Sequence, residues 1–420
     1  MKPRLLVPGV ALAVALHAAA EAPRAASFAE FDRRARAGET LSVVFFGGSL
    51  TWSANASEPN RTGFRGRVAD ALEARYPAAH FRFHDAAIGG TGSMLGVFRL
   101  DRDVLAHDPD LVFLDFACND GGGPEALAQS CCYESILRRL VGRGVPVVQM
   151  FFTFRFWAEN ADDPESGHAQ LAAYRRLAEA YATGVGDVYR DGPLFPDLRA
   201  GRTTLDDVWP LDAAHPGDLG YRYFADAGIA GFDRAVANGV VCRVPDAPVF
   251  GDVADVARRD FAKGDLPEGW ALRPTYRTSL WYDGLSSRWM DDVAVFSGTN
   301  RAPITVRAKA NLVGLFGEAD EKALDCEVRA GCKPLATFRC NHGAGAGRLF
   351  IWRQALVPGW ERGETGERDF AFDPLPSPDG AGELRIGAIC TASLLPVEAK
   401  DAPASADALD IDAIDHGRQP

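Results

Sequence analysis

Residues 42–52 read Ser-Val-Val-Phe-Phe-Gly-Gly-Ser-Leu-Thr-Trp. Val43 to Phe46 form a short, uninterrupted apolar run, as expected of a strand covered on both faces. Gly47 and Gly48 end it and let the backbone turn sharply. Ser49 then presents its hydroxyl and amide at the strand end. On its own, the string reads equally well as a strand-to-helix turn closed by a capping serine. It is not the G-x-S-x-G elbow, because position 51 is Thr.

Working outward, short apolar runs alternate with segments of helical period. Residues 63–76 place Phe64, Val68, Ala71 and Leu72 at helical spacing. Residues 81–88 read as a strand, 94–106 as a helix, 111–116 as a strand, and 124–141 as a helix with Pro124 in its first turn. A strand at 145–152, a helix at 170–183, a weaker strand at 186–189 and a helix at 220–237 complete the series. Such alternation predicts a parallel sheet with helices on both faces, whose sites lie at the carboxyl ends of the strands. Beyond about residue 240 the pattern changes to short β-rich runs at 304–308, 312–316, 336–340, 349–354, 369–372 and 384–390, broken by Gly, Pro and Asn. That is the pattern of a β-sandwich or jelly roll.

The 420 residues suffice for two domains. A net charge of −12 excludes the basic footprint of a nucleic-acid binder and disfavours an anionic membrane surface. Lys2 and Arg4 precede an apolar run that closes on Ala18, Ala19 and Ala20, the order of a secretory signal peptide. An uncleaved anchor is the competing reading, disfavoured by the shortness of the run and by Pro8 and Gly9. The expected organisation is a signal peptide at 1–20, an α/β domain at 27–240, a linker at 241–262, a β-sandwich at 263–397 and a disordered acidic tail at 398–420. No other segment is a transmembrane candidate, so stable membrane insertion is not expected. The signal peptide predicts a secreted or periplasmic protein.

Two further strings carry chemistry. Asp212 and His215, in Asp-Ala-Ala-His-Pro, are spaced so that a carboxylate can hold an imidazole on one side of a turn. A histidine so held can take a serine proton and return it to a leaving group. Alone, the string is simply a helix start capped by Asp. Ser49 supplies one backbone amide toward an oxyanion. Gly90, after the second strand, and the side-chain amide of Asn119, after the third, are candidates for two more. Their bland readings are a tight turn and a loop residue with local hydrogen bonds.

Serine after the first strand, glycine after the second, asparagine after the third and a late Asp-x-x-His together resemble the SGNH (GDSL) hydrolase superfamily. The resemblance spans about residues 40–240. It implies a three-layer α/β/α, flavodoxin-like parallel sheet and ester hydrolysis through an acyl-enzyme, with no metal or cofactor. It further implies Ser49 as nucleophile, His215 as base, Asp212 as its orienter, and Ser49, Gly90 and Asn119 as the oxyanion hole. Gly89 is the alternative donor, one position away. The chain departs from the family pattern at Gly48, usually Asp, and at Ala117, usually Gly. Export and an appended β domain resemble esterases that remove O-acetyl groups from polysaccharides. The alternatives are a general short-chain carboxylesterase or lipase, an acyltransferase, and a carbohydrate-binding protein with an inactive hydrolase domain. Trp270, Trp281, Trp289, Trp352 and Trp360 motivate the last of these.

Some signals remain double. The eight cysteines allow either pairing among Cys326, Cys332, Cys340 and Cys390 or free buried thiols. Trp52, Phe154, Phe156, Trp157 and Trp209 read as an aromatic wall for a sugar or acyl chain, or as core. His80 and His84 read as a surface pair. The Gly90–Gly92–Gly96 spacing misses the dinucleotide fingerprint.

Overall fold

The computed structural model describes residues 24–397, except 161, 162, 164, 167, 263, 277–289, 291, 299–301, 342–347 and 376–381. The expected signal peptide and acidic tail lie outside the described residues. No helix among the described residues is long and apolar enough to cross a membrane.

The N-terminal half opens with α1 (Phe28–Arg36), β1 (Thr40–Gly47), the single turn α2 (Ser49–Trp52) and α3 (Phe64–Arg75). Next come β2 (His80–Ala87), α4 (Ser93–Asp103), β3 (Leu111–Asp115), α5 (Ala126–Gly142) and β4 (Val147–Phe151). It closes with α6 (Arg155–Ala158), α7 (Leu171–Tyr181), β5 (Gly184–Asp187), α8 (Leu194–Arg199), α9 (Leu205–Val208) and α10 (Asp218–Ala237). The strands pair in parallel in the order β2-β1-β3-β4-β5. This is the flavodoxin-like order, with its switch point at β1 and β3. Right-handed crossovers put α3 on one face with α1 and α10, and α4, α5 and α7 on the other. Phe45, Phe64, Phe113 and Phe152 interlock edge-to-face and stacked, fixing α3 against the sheet.

The C-terminal half is antiparallel. Its strands are β6 (Gly251–Arg259), β7 (Trp270–Pro274), β8 (Asp292–Phe296), β9 (Ile304–Lys309), β10 (Leu312–Ala319), β11 (Cys326–Ala330), β12 (Lys333–Phe338), β13 (Leu349–Leu356), β14 (Glu367–Pro374) and β15 (Leu384–Pro396). One sheet runs β13-β10-β15-β8-β7, with β6 also on β15, and the other runs β12-β11-β14-β9. Phe296, Leu315 and Ile386 of the first sheet share a core with Val306, Val328 and Phe370 of the second. The first sheet is covered on its other face too. Phe316, Cys390 and Leu394 belong to the core that runs through the α/β half. Hence β10 is buried at every position.

Two expectations need correction, and one of the two readings of the cysteines holds. The stretch expected as linker contains β6, nine residues whose apolar–polar alternation pairs with the long β15. The weak strand lies two residues earlier than its apolar residues suggested. No cysteine is bonded: all eight are free thiols, and only Cys332 is exposed.

Candidate active site

β1 delivers Ser49 to the centre of the sheet's carboxyl edge, where α2 begins on Gly48. His215 comes from the far end of the domain, in the turn before α10. The two meet: Ser49 Oγ lies 2.9 Å from His215 Nε2. His215 Nδ1 lies 3.1 Å from Asp212 Oδ2. Asp212 Oδ1 accepts the backbone amides of Ala214 at 2.7 Å and His215 at 2.6 Å. Partial burial alone would raise the Asp212 pKa. The hydrogen bond and charge of His215, with the two amides, outweigh this and hold it at about 2. A carboxylate that accepts but cannot donate fixes the imidazole with its proton on Nδ1, leaving Nε2 to accept from Ser49. Arg155 secures the turn from the β4 side, donating its amide to Ala213 O at 2.9 Å and its guanidinium to Trp209 O at 3.2 Å.

The other expected residues come to the same edge. Gly90 turns the β2–α4 loop with φ +66°, a left-handed conformation that favours glycine. Asn119 follows β3, and its side chain lies over Gly48. A Cβ built on Gly48 would sit 2.2 Å from Asn119 Oδ1. The glycine at this position leaves that space to the asparagine side chain.

Asp120 is a residue the motif reading passed over, although it adjoins Asn119. Its carboxylate accepts the Ser93 amide at 2.9 Å, capping α4, and the Tyr174 hydroxyl. It ties the Asn119 loop to the Gly90 loop. Deeper, Asp115 at the end of β3 accepts the Thr51 hydroxyl at 3.2 Å. Burial pushes Asp115 to about 8 and Asp120 to about 7. For a carboxyl raised in the folded state, stability is full below the unfolded value near 4. It is lost as pH rises through the folded value. Thermal midpoints should therefore fall from pH 6 to pH 9, and Asp115→Asn should flatten that fall. An unchanged slope in the variant would remove Asp115 as its source.

The aromatic wall shrinks. Trp209 is fully buried, Phe154 packs on Trp157, and Trp157 packs on His168. Only Trp52 and Phe156 of the five are half-buried, while Leu211, beside Asp212, is exposed. His84 stacks on His107 with ring centroids 3.9 Å apart. In the C-terminal half, Trp270 and Trp360 are buried and Trp352 packs on Phe98. Trp281 and Trp289 lie outside the described residues.

With the fold and the Ser–His–Asp geometry established, comparison with known proteins decides the class. Residues 45–223 match the model of the GDSL-like lipase/acylhydrolase family. This region is a GDSL-like hydrolase domain. The matched region is thus that of a carboxylic ester hydrolase. A comparison with curated proteins finds no match. Among solved structures, the chain is similar to a two-domain esterase (CEX) active on acetylated mannans. The identity is 21%, with 88% of this chain and 95% of that chain covered and a TM-score of 0.69. The same esterase co-crystallized with mannopentaose gives 20% identity, coverage of 87% and 94%, and a TM-score of 0.68. Both likenesses extend the shared fold across the α/β and β-rich halves. An acetyl xylan esterase, AlAXEase, is 21% identical over 44% of this chain and 97% of its own, with a TM-score of 0.37.

Proposed function

We propose that this hydrolase removes O-acetyl or similar short acyl groups from polysaccharide outside the cell, with Ser49 as nucleophile. The observation that carries the reading is the unbroken Ser49–His215–Asp212 hydrogen-bond chain. Ser49 Oγ attacks the acyl carbon as its proton passes to His215 Nε2. The developing oxyanion is received by the Ser49 amide, an amide of the Gly89–Gly90 turn and Asn119 Nδ2. His215 then gives the proton to the departing sugar oxygen, leaving an acyl-enzyme. Water repeats the sequence, His215 taking its proton and returning one to Ser49 as the carboxylic acid leaves.

The polysaccharide assignment draws on the fold shared over both halves with an esterase active on acetylated mannans. The signal-peptide pattern supports export. The packed state of Trp270, Trp352 and Trp360 weighs against an inactive binding module. Acetate release from a panel of acetylated mannans, xylans and other glycans tests the reading. Release from one glycan is the expected result. Cleavage of an aryl acetate without any glycan would leave a general short-chain carboxylesterase.

The Asn119 role has its own test, because Gly48 and Asn119 contend for one space. A side-chain end yields more cheaply than backbone, so Gly48→Ala should leave the fold intact and push Asn119 aside. We expect Gly48→Ala and Asn119→Ala each to lower kcat by about 10²–10³. The double variant should be no worse than either single variant. Fully multiplying losses in the double variant would show two separate roles.

A further inference from the structure

One side chain outside the Ser–His–Asp chain reaches its carboxylate. Asn55, in the loop after α2, donates through Nδ2 to Asp212 Oδ2 at 2.6 Å. The same nitrogen lies 3.4 Å from the His215 carbonyl oxygen. Both neighbours can only accept, which sets the orientation of the amide. Oδ2 is also the oxygen that faces His215 Nδ1, whereas Oδ1 is held by amides of its own turn. The Asp212 side chain is 44% exposed. Water therefore competes for Oδ2, and Asn55 is the donor that brings the β1 side of the site to bear on it.

The loop carrying Asn55 is built to hold this position. Ser53 and Asn55 have φ of 75° and 68°, and asparagine tolerates that region better than most residues. The Phe64 amide donates to Ser53 Oγ at 2.9 Å, and the Tyr221 hydroxyl donates to the Ala54 carbonyl at 2.6 Å. Ser57 and Thr62 both donate to Asp218 at the start of α10, at 2.6 Å and 2.7 Å. The loop is thereby fastened to the helix that follows the His215 turn. Asn55 and Asp212 approach each other on two anchored segments.

We propose that Asn55 is a positioning residue for the hydrolysis. It pins Asp212 Oδ2 against His215 Nδ1, so that Nε2 stays aligned on Ser49 Oγ. This rests on reading Ser49, His215 and Asp212 as the reacting chain. It adds a fourth residue contributed by the loop after the nucleophile. Asn55 has no contact with the acyl group in this role, so its loss should affect kcat and not KM.

Two variants separate side chain from backbone. Asn55→Gly keeps the left-handed backbone without strain and removes the amide. Asn55→Asp keeps the shape and sets a second carboxylate against Asp212. With an aryl acetate, kcat should fall roughly tenfold in Asn55→Gly and about 10²-fold in Asn55→Asp, with KM within about twofold of wild type. The thermal midpoint and the downfield proton resonance of the His215 Nδ1–H···Asp212 bond are measured alongside. The resonance should broaden or move upfield in Asn55→Gly even where the midpoint is kept. Wild-type kcat and an unmoved resonance in a folded Asn55→Gly would overturn the proposal, as would a rise in KM at constant kcat. Should the glycine variant fail to fold, Asn55→Asp decides by the same two readouts. Ser49→Ala is run in parallel. If it stays active, the underlying reading has failed; if it is dead while both Asn55 variants behave as wild type, only the Asn55 role has failed.

Discussion

Ser49→Ala should abolish ester hydrolysis, with kcat falling by about 10⁴–10⁶ while the protein stays folded. The size follows from what is lost. Without the hydroxyl there is no acyl-enzyme, and His215 Nε2 loses the partner 2.9 Å away. What survives is the amide at position 49 and the rest of the oxyanion loops, which in serine hydrolases leave only a small residual acceleration over water. His215→Ala should cost nearly as much. The double variant should be no worse than either single one, because the two residues act as a unit. Folding should be spared because alanine suits the helical turn that Ser49 opens and no backbone partner depends on its Oγ. The check is steady-state hydrolysis of an aryl acetate with a circular dichroism melt on the same samples. Substantial turnover by a folded Ser49→Ala protein would remove the nucleophile assignment and everything derived from it.

The elements legible in the sequence were those whose burial is uniform. β1, β3 and β4 are covered by helices on both faces, so each shows as an apolar run. β5 was displaced because its sequence is Gly-Val-Gly-Asp. Its glycines answer to close neighbours: a Cβ on Gly186 would meet Gly228 Cα of α10 at 2.8 Å and Met150 Sδ of β4 at 2.6 Å. Packing there demands the absence of side chains, and absence leaves no hydrophobic signal. β6 escaped for the opposite reason. Its alternation carries Asp252, Asp255, Arg258 and Arg259, and its pairing with β15 lies more than a hundred residues away in sequence. The short turns α2, α6, α8 and α9 carry too few residues for a period to show.

The site divides in the same way. Ser49, Asp212 and His215, which the structure joins in one hydrogen-bond chain, are legible because the proposed chemistry needs particular residue types beside turn-forming glycine and proline. The proposed oxyanion donors Asn119 and Gly90 stand out only in company, each being an ordinary loop residue by itself. Asp120 and Asn55 are not legible, since their roles consist of contacts. Asp120 reaches Ser93 across 27 positions, and Asn55 reaches Asp212 across 157. The aromatic wall shows the limit from the other side. Tryptophan just beyond a strand end carries no mark of whether the ring faces solvent or core, and Trp209 faces core.

The second large effect falls where the two halves of the chain meet. Glu134 lies on α5 with its side chain fully buried. Its Oε1 accepts the Val249 amide at 2.7 Å and the Tyr181 hydroxyl at 2.9 Å. Its Oε2 accepts the Phe250 and Gly251 amides at 2.6 Å and 3.1 Å. Four donors satisfy one carboxylate, and three of them belong to the chain just as it enters β6. A buried acceptor with this many partners costs most when removed alone, because each donor then stays desolvated and unpaired. Glu134→Ala should therefore lower the unfolding free energy by on the order of 3–5 kcal/mol. Glu134→Gln, which keeps one acceptor oxygen, should lose less. The neighbouring contacts give the direction of failure. Gln354 of β13 donates to Glu125 at 2.8 Å, Trp352 packs on Phe98 of α4, and Arg176 lies over the Phe250 ring. The first two contacts join the β sheet to the segments that follow the Gly90 and Asn119 loops, and the third ties the chain entering β6 to α7. Loosening the clamp should expose residues 241–250 to protease and lower esterase activity in the same temperature range, before the α/β half itself melts. Chemical denaturation of the three proteins, with limited proteolysis across the transition, measures this. An unchanged midpoint and an uncut segment in Glu134→Ala would mean that the halves are held by their shared apolar core alone.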